Sequence, residues 1–342
     1  MITVPVFVGL DYHASVIQVC VMAADGRQLG NRAWPDDAAE VDRYVRQFGP
    51  TIRAAIEACT GAAHLADELA THFGWDIRQA HPGFVARMRA HPDKTDWADA
   101  RVLADLTRVG YLPVVWLAPE PIRELRRVTR YRQQLVDQRR ATKLRVRAVL
   151  RECRVKLRAT GWTKAWLAEL AQATLPDEAR WVVAQHLAEL QHLAGRIATA
   201  EQRIAKLVAG DPVVAKLLSQ VGVGLVTAAV MRAEIGSFER FHTGKQLSRY
   251  CGLTPRNASS GQRQADAGLV KAGNVHLRSV VIEAAHRLGR FDKRWRRLRD
   301  DLRAKGKCGS VVAAALANRW VRGLVHQMTG PTSTSEVESG AN

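Results

Sequence analysis

The chain has 342 residues and carries 51 Lys and Arg against 33 Asp and Glu, a formal net charge of +18 with a pI near 10.4. That length accommodates two or three domains with cores of their own. Such a charge, on a chain with no apolar stretch of membrane-spanning length, points to a polyanion, with nucleic acid first and an acidic membrane surface as the rival.

Cys20, Cys59, Cys153, Cys251 and Cys308 are scattered, odd in number and without Cys-x-x-Cys spacing, which excludes a disulfide framework and a Cys-based zinc site. Asp11 interrupts the first apolar run, and no basic leader precedes it, so no secretory signal is expected. The expectation is a cytoplasmic protein with reduced thiols.

In chain order, residues 2–10, 16–23 and 28–34 read as strands, the last two joined at the turn-forming pair Asp25-Gly26. A helix fits Asp37 to Phe48, then a strand ending at Glu57, a helix from Ala62 to His72, a strand from Trp75 to Ala80 and a further helix. The order β-β-β-α-β-α-β-α predicts a mixed sheet with helices on its faces, as in ribonuclease H-like domains. Pro113, Pro119 and Pro121 close this region, and Ile122 to Arg158 is helical and very basic: 14 Lys or Arg against Glu124, Asp137 and Glu152 from Arg123 onward. Leu187, Leu190, Leu193, Ile197, Ile204 and Leu207 mark a second long helix, expected to pair with the first as an antiparallel hairpin or to join an intermolecular coiled coil. From residue 211, Val221 to Ala229 resembles a helix-hairpin-helix turn, or else simple helix packing, and a polar segment at Thr254 to Lys271 interrupts the helices. Helical pattern resumes at Val275 to Gly289, Arg290 to Arg303 is basic, and a last helix covers Gly309 to Met328 before a polar, disordered tail. Domains are accordingly expected at 1–112, 113–210 and 211–328, with a tail at 329–342. The fold class is α/β plus all-α.

Four carboxylates carry the chemistry. Asp11 and Glu57 end apolar strands, and Asp96 and Asp99 lie three apart on one helix face. Hard oxygen ligands that converge in this way can hold two divalent cations for phosphodiester chemistry. An actin-like nucleotide site is disfavoured, because Tyr12 and His13 follow Asp11 where phosphates would require small residues.

Gly9-Leu10-Asp11, Glu57-Ala58-Cys59-Thr60-Gly61 and Lys94-Thr95-Asp96-Trp97-Ala98-Asp99-Ala100 resemble the three blocks of the DEDD transposases of the insertion-sequence one-ten family. Tyr250-Cys251-Gly252-Leu253-Thr254-Pro255, Ser259-Ser260-Gly261 and Lys271-Ala272-Gly273-Asn274-Val275-His276-Leu277-Arg278 resemble that family's second domain, so the likeness runs from about residue 6 to 328. The resemblance implies a RuvC-like, ribonuclease H-like metal domain, a long helical connector and an α-helical domain bearing a serine nucleophile, matched here by Ser260 with Ser259 beside it. It further implies a DNA recombinase that moves its own element, using Mg2+ or Mn2+. Donor and target DNA would be selected by a structured bridge RNA, with homodimers pairing into tetramers on two DNA sites and the active site completed across domains.

Ser260 lies among Arg256, Arg263 and Lys271, a cationic setting for a phosphate. His13 replaces the lysine that often follows the first Asp in the family. His13 and His64 are read as packed or solvated and left outside the catalytic set. Arg123, Arg126, Arg127, Arg130, Arg139, Arg140, Lys143 and Arg147 of the basic helix, with Arg256, Arg263, Lys271 and Arg278, are the expected nucleic-acid contacts. Trp295, within a run of arginines, either stacks on an unpaired base or anchors its helix in the core. Two other functions remain open from sequence: a metal-dependent junction endonuclease that uses water, and a nucleic-acid-binding regulator with a degenerate site.

Overall fold

The computed structural model describes residues 4–88, 95–257, 266–270 and 272–330. The chain divides into two compact units, Met1–Pro119 and Glu120–Asn342.

The first unit is built on β1 (Val6–Tyr12), β2 (Val16–Met22) and β3 (Gln28–Pro35), then α1 (Ala38–Arg46), β4 (Ile52–Glu57), α2 (Ala62–Phe73), β5 (Asp76–Ala80), α3 (Pro82–Met88), α4 (Asp96–Arg108) and β6 (Val114–Val115). The sheet order is β3-β2-β1-β4-β5-β6; β1 runs parallel to β4 and β4 to β5, while the other neighbours are antiparallel. This is the mixed α/β sheet expected from the alternation of elements. The turn between β2 and β3 is stabilised by the Arg27 amide, which donates to Asp25 Oδ1.

Alternation along the strands sorts the side chains onto two faces. Val8, Leu10, Val19, Ala54 and Ile56 pack with Val41 and Val45 of α1 and Leu65 and Leu69 of α2. On the other face, Phe7, Cys20 and Met22 meet Ala100 and Ala104 of α4, and Ala55 meets Leu103. Gly9 is what lets α4 lie so close: a Cβ there would stand 1.9 Å from the Ala100 carbonyl oxygen and 2.5 Å from the Ala104 nitrogen.

The second unit opens with the long basic helix α5 (Glu120–Glu152), followed by α6 (Lys164–Gln172) and α7 (Asp177–Leu207). Helices α5 and α7 pack antiparallel within the chain, Leu135 against Leu193 and Ile197, with an Arg132–Glu201 ion pair at 2.7 Å. Then come α8 (Pro212–Leu218), α9 (Leu225–Ile235), a 3-10 turn (Phe238–Arg240), α10 (Gly244–Tyr250), the ribbon β7 (Pro255–Asn257) and β8 (Asp266–Leu269), and α11 (Val275–Phe291), α12 (Lys293–Ala304) and α13 (Gly309–Thr329). Leu217, Met231, Ile235, Leu247, Leu277, Val281, Leu316 and Leu324 form its main core, joined by Leu125 of α5 and Ile204 of α7.

Gly222 and Trp295 both take part in the packing of this unit. Gly222 carries φ +81° at the turn before α9, and a Cβ on it would sit 2.9 Å from Arg287 Cβ, so this glycine seats the turn on α11. Trp295 packs against the main core, partly buried.

Candidate active site

Leu10 is paired with Ile56 across the parallel strands β1 and β4, and both belong to the core under α1 and α2. The next residue along each strand, Asp11 and Glu57, therefore faces the opposite side, beneath α4. Helix α4 begins there: Thr95 caps it, its hydroxyl accepting from the Ala98 amide, and Asp96 and Asp99 occupy its first turn, where the partial positive charge of the helix end favours carboxylates. All four carboxylates thus stand on one face of the sheet.

Within this group the ligand-competent atoms of Asp11, His13 and Asp96 all lie within 4.8 Å of one another. His13 Nε2 is 3.4 Å from Asp11 Oδ2 and 3.3 Å from Asp96 Oδ1. Glu57 and Asp99 are outside this trio: Glu57 follows Ile56, the register partner of Leu10, and Asp99 acts on Asp11 through its charge. Asp99 is only 2% exposed, and Asp11 Oδ2 is buried without a hydrogen bond. Burial pushes the Asp11 carboxyl up from its ordinary value; His13 opposes this, and the charges of Asp99 and Asp96 add to it. A partly buried carboxylate that feels the charge of two further carboxylates and has an imidazole beside it suits a divalent cation, which would relieve both the desolvation and the repulsion.

His13 is the residue that sequence reasoning left aside. Its one signal was its position, two residues after Asp11, where β1 has ended and the His13 amide donates to the Val16 carbonyl. A second overlooked residue is Asn31 of β3. Gln18, the register partner of Asp11, donates to Asn31 Oδ1, and Asn31 Nδ2 donates in turn to the Trp97 carbonyl, which ties the start of α4 to the sheet. His64 lies exposed in the first turn of α2.

In the second unit, Ser259, Ser260, Arg263 and Lys271 lie outside the described residues, and Arg256 falls on β7. The ribbon that leads to residues 258–265 is set by the flanking motifs. Gly252 and Gly273 touch so closely that a Cβ on Gly273 would come within 2.3 Å of the Gly252 Cα, and Arg278 donates to the Val270 carbonyl at 3.2 Å.

The basic helix divides into two halves. Arg123 and Arg127 pair with Glu120, while Arg130 grips Glu234 through both carboxylate oxygens at 2.8 and 3.0 Å. Arg126 donates to the Ala233 carbonyl, and Asn274 Nδ2 also donates to Glu234 at 2.7 Å. Burial alone would raise the carboxyl of Glu234, which is 1% exposed, but Arg130, Asn274 and Arg126 hold it below its ordinary value. These arginines hold α5 onto the core. Beyond them Arg139, Arg140 and Arg147 have no acid within ion-pair distance among the described residues, and Lys143 lies 4.8 Å from the Trp162 ring centroid.

No helix among the described residues is long and apolar enough to cross a membrane. The family model of DEDD transposases of the IS110 type, described as a transposase, matches residues 8–155, and that of the IS116/IS110/IS902 transposases matches residues 214–299. The chain is 32% identical to a probable family 20 transposase of Pseudomonas aeruginosa, over 92% of this chain and 94% of that one. It is 24% identical to the transposase of insertion sequence IS1328 from Yersinia enterocolitica, over 92% and 94% of the two chains. The transposase of IS1111A from Coxiella burnetii is 26% identical over 83% and 78%.

Proposed function

Because the chain belongs to the IS110 family of DEDD transposases of insertion sequences, we propose that it exchanges DNA strands at a two-cation carboxylate centre formed by Asp11, Glu57, Asp96 and Asp99. Ser260 is the proposed nucleophile, and a structured bridge RNA selects the donor and target DNA. The family itself implies a divalent metal and DNA substrates. Mg2+, the guide RNA and the assembly into dimers and tetramers are further parts of the proposal.

The observation that carries it is the convergence of Asp11, His13 and Asp96, whose ligand-competent atoms lie within 4.8 Å of one another on the face of the sheet toward which Glu57 and Asp99 also project. The four carboxylates would hold the cations, whose chemistry is to polarise a phosphodiester and stabilise charge on the attacking and leaving oxygens. Asp11 and Glu57 sit on adjacent strand ends, a rigid base, and Asn31 and Thr95 fix the helix that brings Asp96 and Asp99 above them. His13 orients the exposed Asp96 carboxylate toward Asp11.

In the proposed step the Ser260 hydroxyl oxygen forms a bond to phosphorus, the bond between that phosphorus and one deoxyribose oxygen breaks, and the hydroxyl proton passes to the departing oxygen. The resulting phosphoserine retains the ester for rejoining to another strand.

A denaturing gel of DNA cleavage tests this. Wild-type protein, with guide RNA and Mg2+, is expected to give protein–DNA adducts that disappear in both Ser260→Ala and Asp11→Asn. Efficient cleavage by Ser260→Ala would instead favour the endonuclease that uses water, and the lack of any metal-dependent cleavage would favour the regulator.

A further inference from the structure

The far end of the α5–α7 pair carries a second concave site that the carboxylate centre does not use. From Arg139 to Arg158 the chain holds nine Lys or Arg and one acid, Glu152. The cations nearer the start of α5 are neutralised by Glu120, Glu234 and Glu201, so the excess is concentrated in this distal half.

Where α5 ends, the chain folds back over a cavity of about 960 Å3 lined by Arg147, Arg151, Arg154 and Lys156, with Leu150 and Trp166 on its wall. Ligand pockets range over roughly 300–1,000 Å3, so this one has room for a nucleotide with its neighbours. The helix is terminated by Arg154 in the left-handed region, φ +57°, with the Val155 amide donating to the Leu150 carbonyl and the Arg154 amide to the Arg151 carbonyl. That position ordinarily takes glycine, and any other side chain there adds backbone strain. Arg154 is one of four cations that line the cavity. Nearby, Glu169 accepts from the Arg158 and Ala159 amides and so holds the loop that forms the rim. Burial and the charges of Arg139 and Arg147 lower the Lys143 ammonium from its ordinary value, a sign of crowded positive charge.

We propose that this cavity is a binding site for an unpaired stretch of nucleic acid, with the exposed Arg147, Arg151, Arg154 and Lys156 on consecutive phosphates and the buried Leu150 and Trp166 closing its floor. Four exposed cations in one concavity suit a run of phosphodiesters better than a single bare anion. The proposal rests on the nucleic-acid partnership of the transposase reading. It does not depend on the metal centre.

The test uses the full chain and fluorescent single-stranded oligouridine and oligothymidine, with anisotropy followed over a salt series. Arg151→Gln/Arg154→Gln/Lys156→Gln is expected to weaken binding roughly tenfold and to flatten the plot of log affinity against log salt by about 2, at about 0.7 per lost contact on single strands. Arg154→Gly serves as the folding control, because it relieves the backbone while removing the guanidinium. It should match or exceed wild type in thermal stability yet bind the strand more weakly.

Unchanged affinity and slope in the triple variant overturn the proposal. So does displacement of the strand by uridine monophosphate at the strand's own nucleotide concentration, which would mark the ligand as a small phosphate compound, and so does equal binding of duplex and single strand. Asp11→Asn should keep wild-type strand binding. If that variant still cleaves DNA while the triple variant loses strand binding, the metal-site reading fails and this one stands.

Discussion

Gly9→Ala tests how the carboxylate site is held. The added Cβ would stand 1.9 Å from the Ala100 oxygen, 2.5 Å from the Ala104 nitrogen and 2.9 Å from Leu103 Cβ, all parts of α4 that no side-chain rotation can move aside, whereas ordinary contact begins near 3.4 Å. Helix α4 must therefore recede by about 1.5 Å at that turn, with the loss of the packing of Ala100 and Ala104 on the sheet. Overpacking of this kind costs about 3 kcal/mol, the upper end of the range for well-packed sites. For a unit of this size that lowers its melting transition by roughly 10 °C. The larger effect is on the site. Two oxygens that share a cation with metal–oxygen distances of ~2.1 Å can be no more than about 4 Å apart, so such a recession takes Asp96 and Asp99 out of reach of a cation bound at Asp11. Calorimetry of the variant with and without millimolar Mg2+ or Mn2+, alongside DNA cleavage, provides the readout. The expected result is a weakened first-unit transition, no stabilisation by metal and no cleavage, with an unaltered second-unit transition. A variant that keeps wild-type metal stabilisation and cleavage refutes the coupling between helix position and site.

Asp11→Asn should abolish cleavage, leave DNA binding within about twofold because the basic surface lies in the other unit, and raise the metal-free melting temperature at neutral pH. The sign follows from the raised Asp11 carboxyl: its ionisation is disfavoured in the fold, so the metal-free protein loses stability as pH rises through that pKa. A lower metal-free melting temperature in Asp11→Asn at pH 7 contradicts this. Glu234→Gln leaves Arg126 and Arg130 without their carboxylate and should destabilise the second unit by about 3 kcal/mol, as seen in chemical denaturation. Glu234 is held below its ordinary value, so its stabilisation is present above the ordinary Glu range near ~4.3 and is lost as pH falls further. The variant should therefore show a shallower acid limb, and an unchanged one would count against the ion-pair account. Asn31→Ala releases the Trp97 carbonyl and is expected to weaken metal-dependent stabilisation by about 1 kcal/mol with little change in the metal-free protein. An equal loss with and without metal would mark Asn31 as merely structural.

Much of the first unit was legible because its strands alternate strongly and its turns carry Asp-Gly and capping residues. The two-residue β6 and the seven-residue α3 were not, being too short for periodicity to register. The long helix was expected to reach Arg158 but stops at Glu152. Its stop signal is an arginine at a left-handed position, where sequence patterns look for glycine. The convergence of Asp11 and Glu57 follows from β1 and β4 being parallel neighbours, which the element order suggested. The role of Arg126 and Arg130 was hidden, since Glu234 lies 104 residues beyond Arg130 and no local pattern links them. His13 was hidden for a different reason: one histidine beside one aspartate is common, and only the approach of Asp96 across a gap of more than eighty residues gives it meaning.

The central claim, that four carboxylates meet around bound cations, is tested most directly by replacing Mg2+ with Fe2+ and mapping oxidative backbone cleavage by mass spectrometry. Cuts confined to the neighbourhoods of Asp11, Glu57 and Asp96–Asp99, suppressed together by excess Mg2+ and absent in Asp11→Asn, are the predicted result. Cuts that cluster elsewhere, or that persist unchanged in Asp11→Asn, would contradict it.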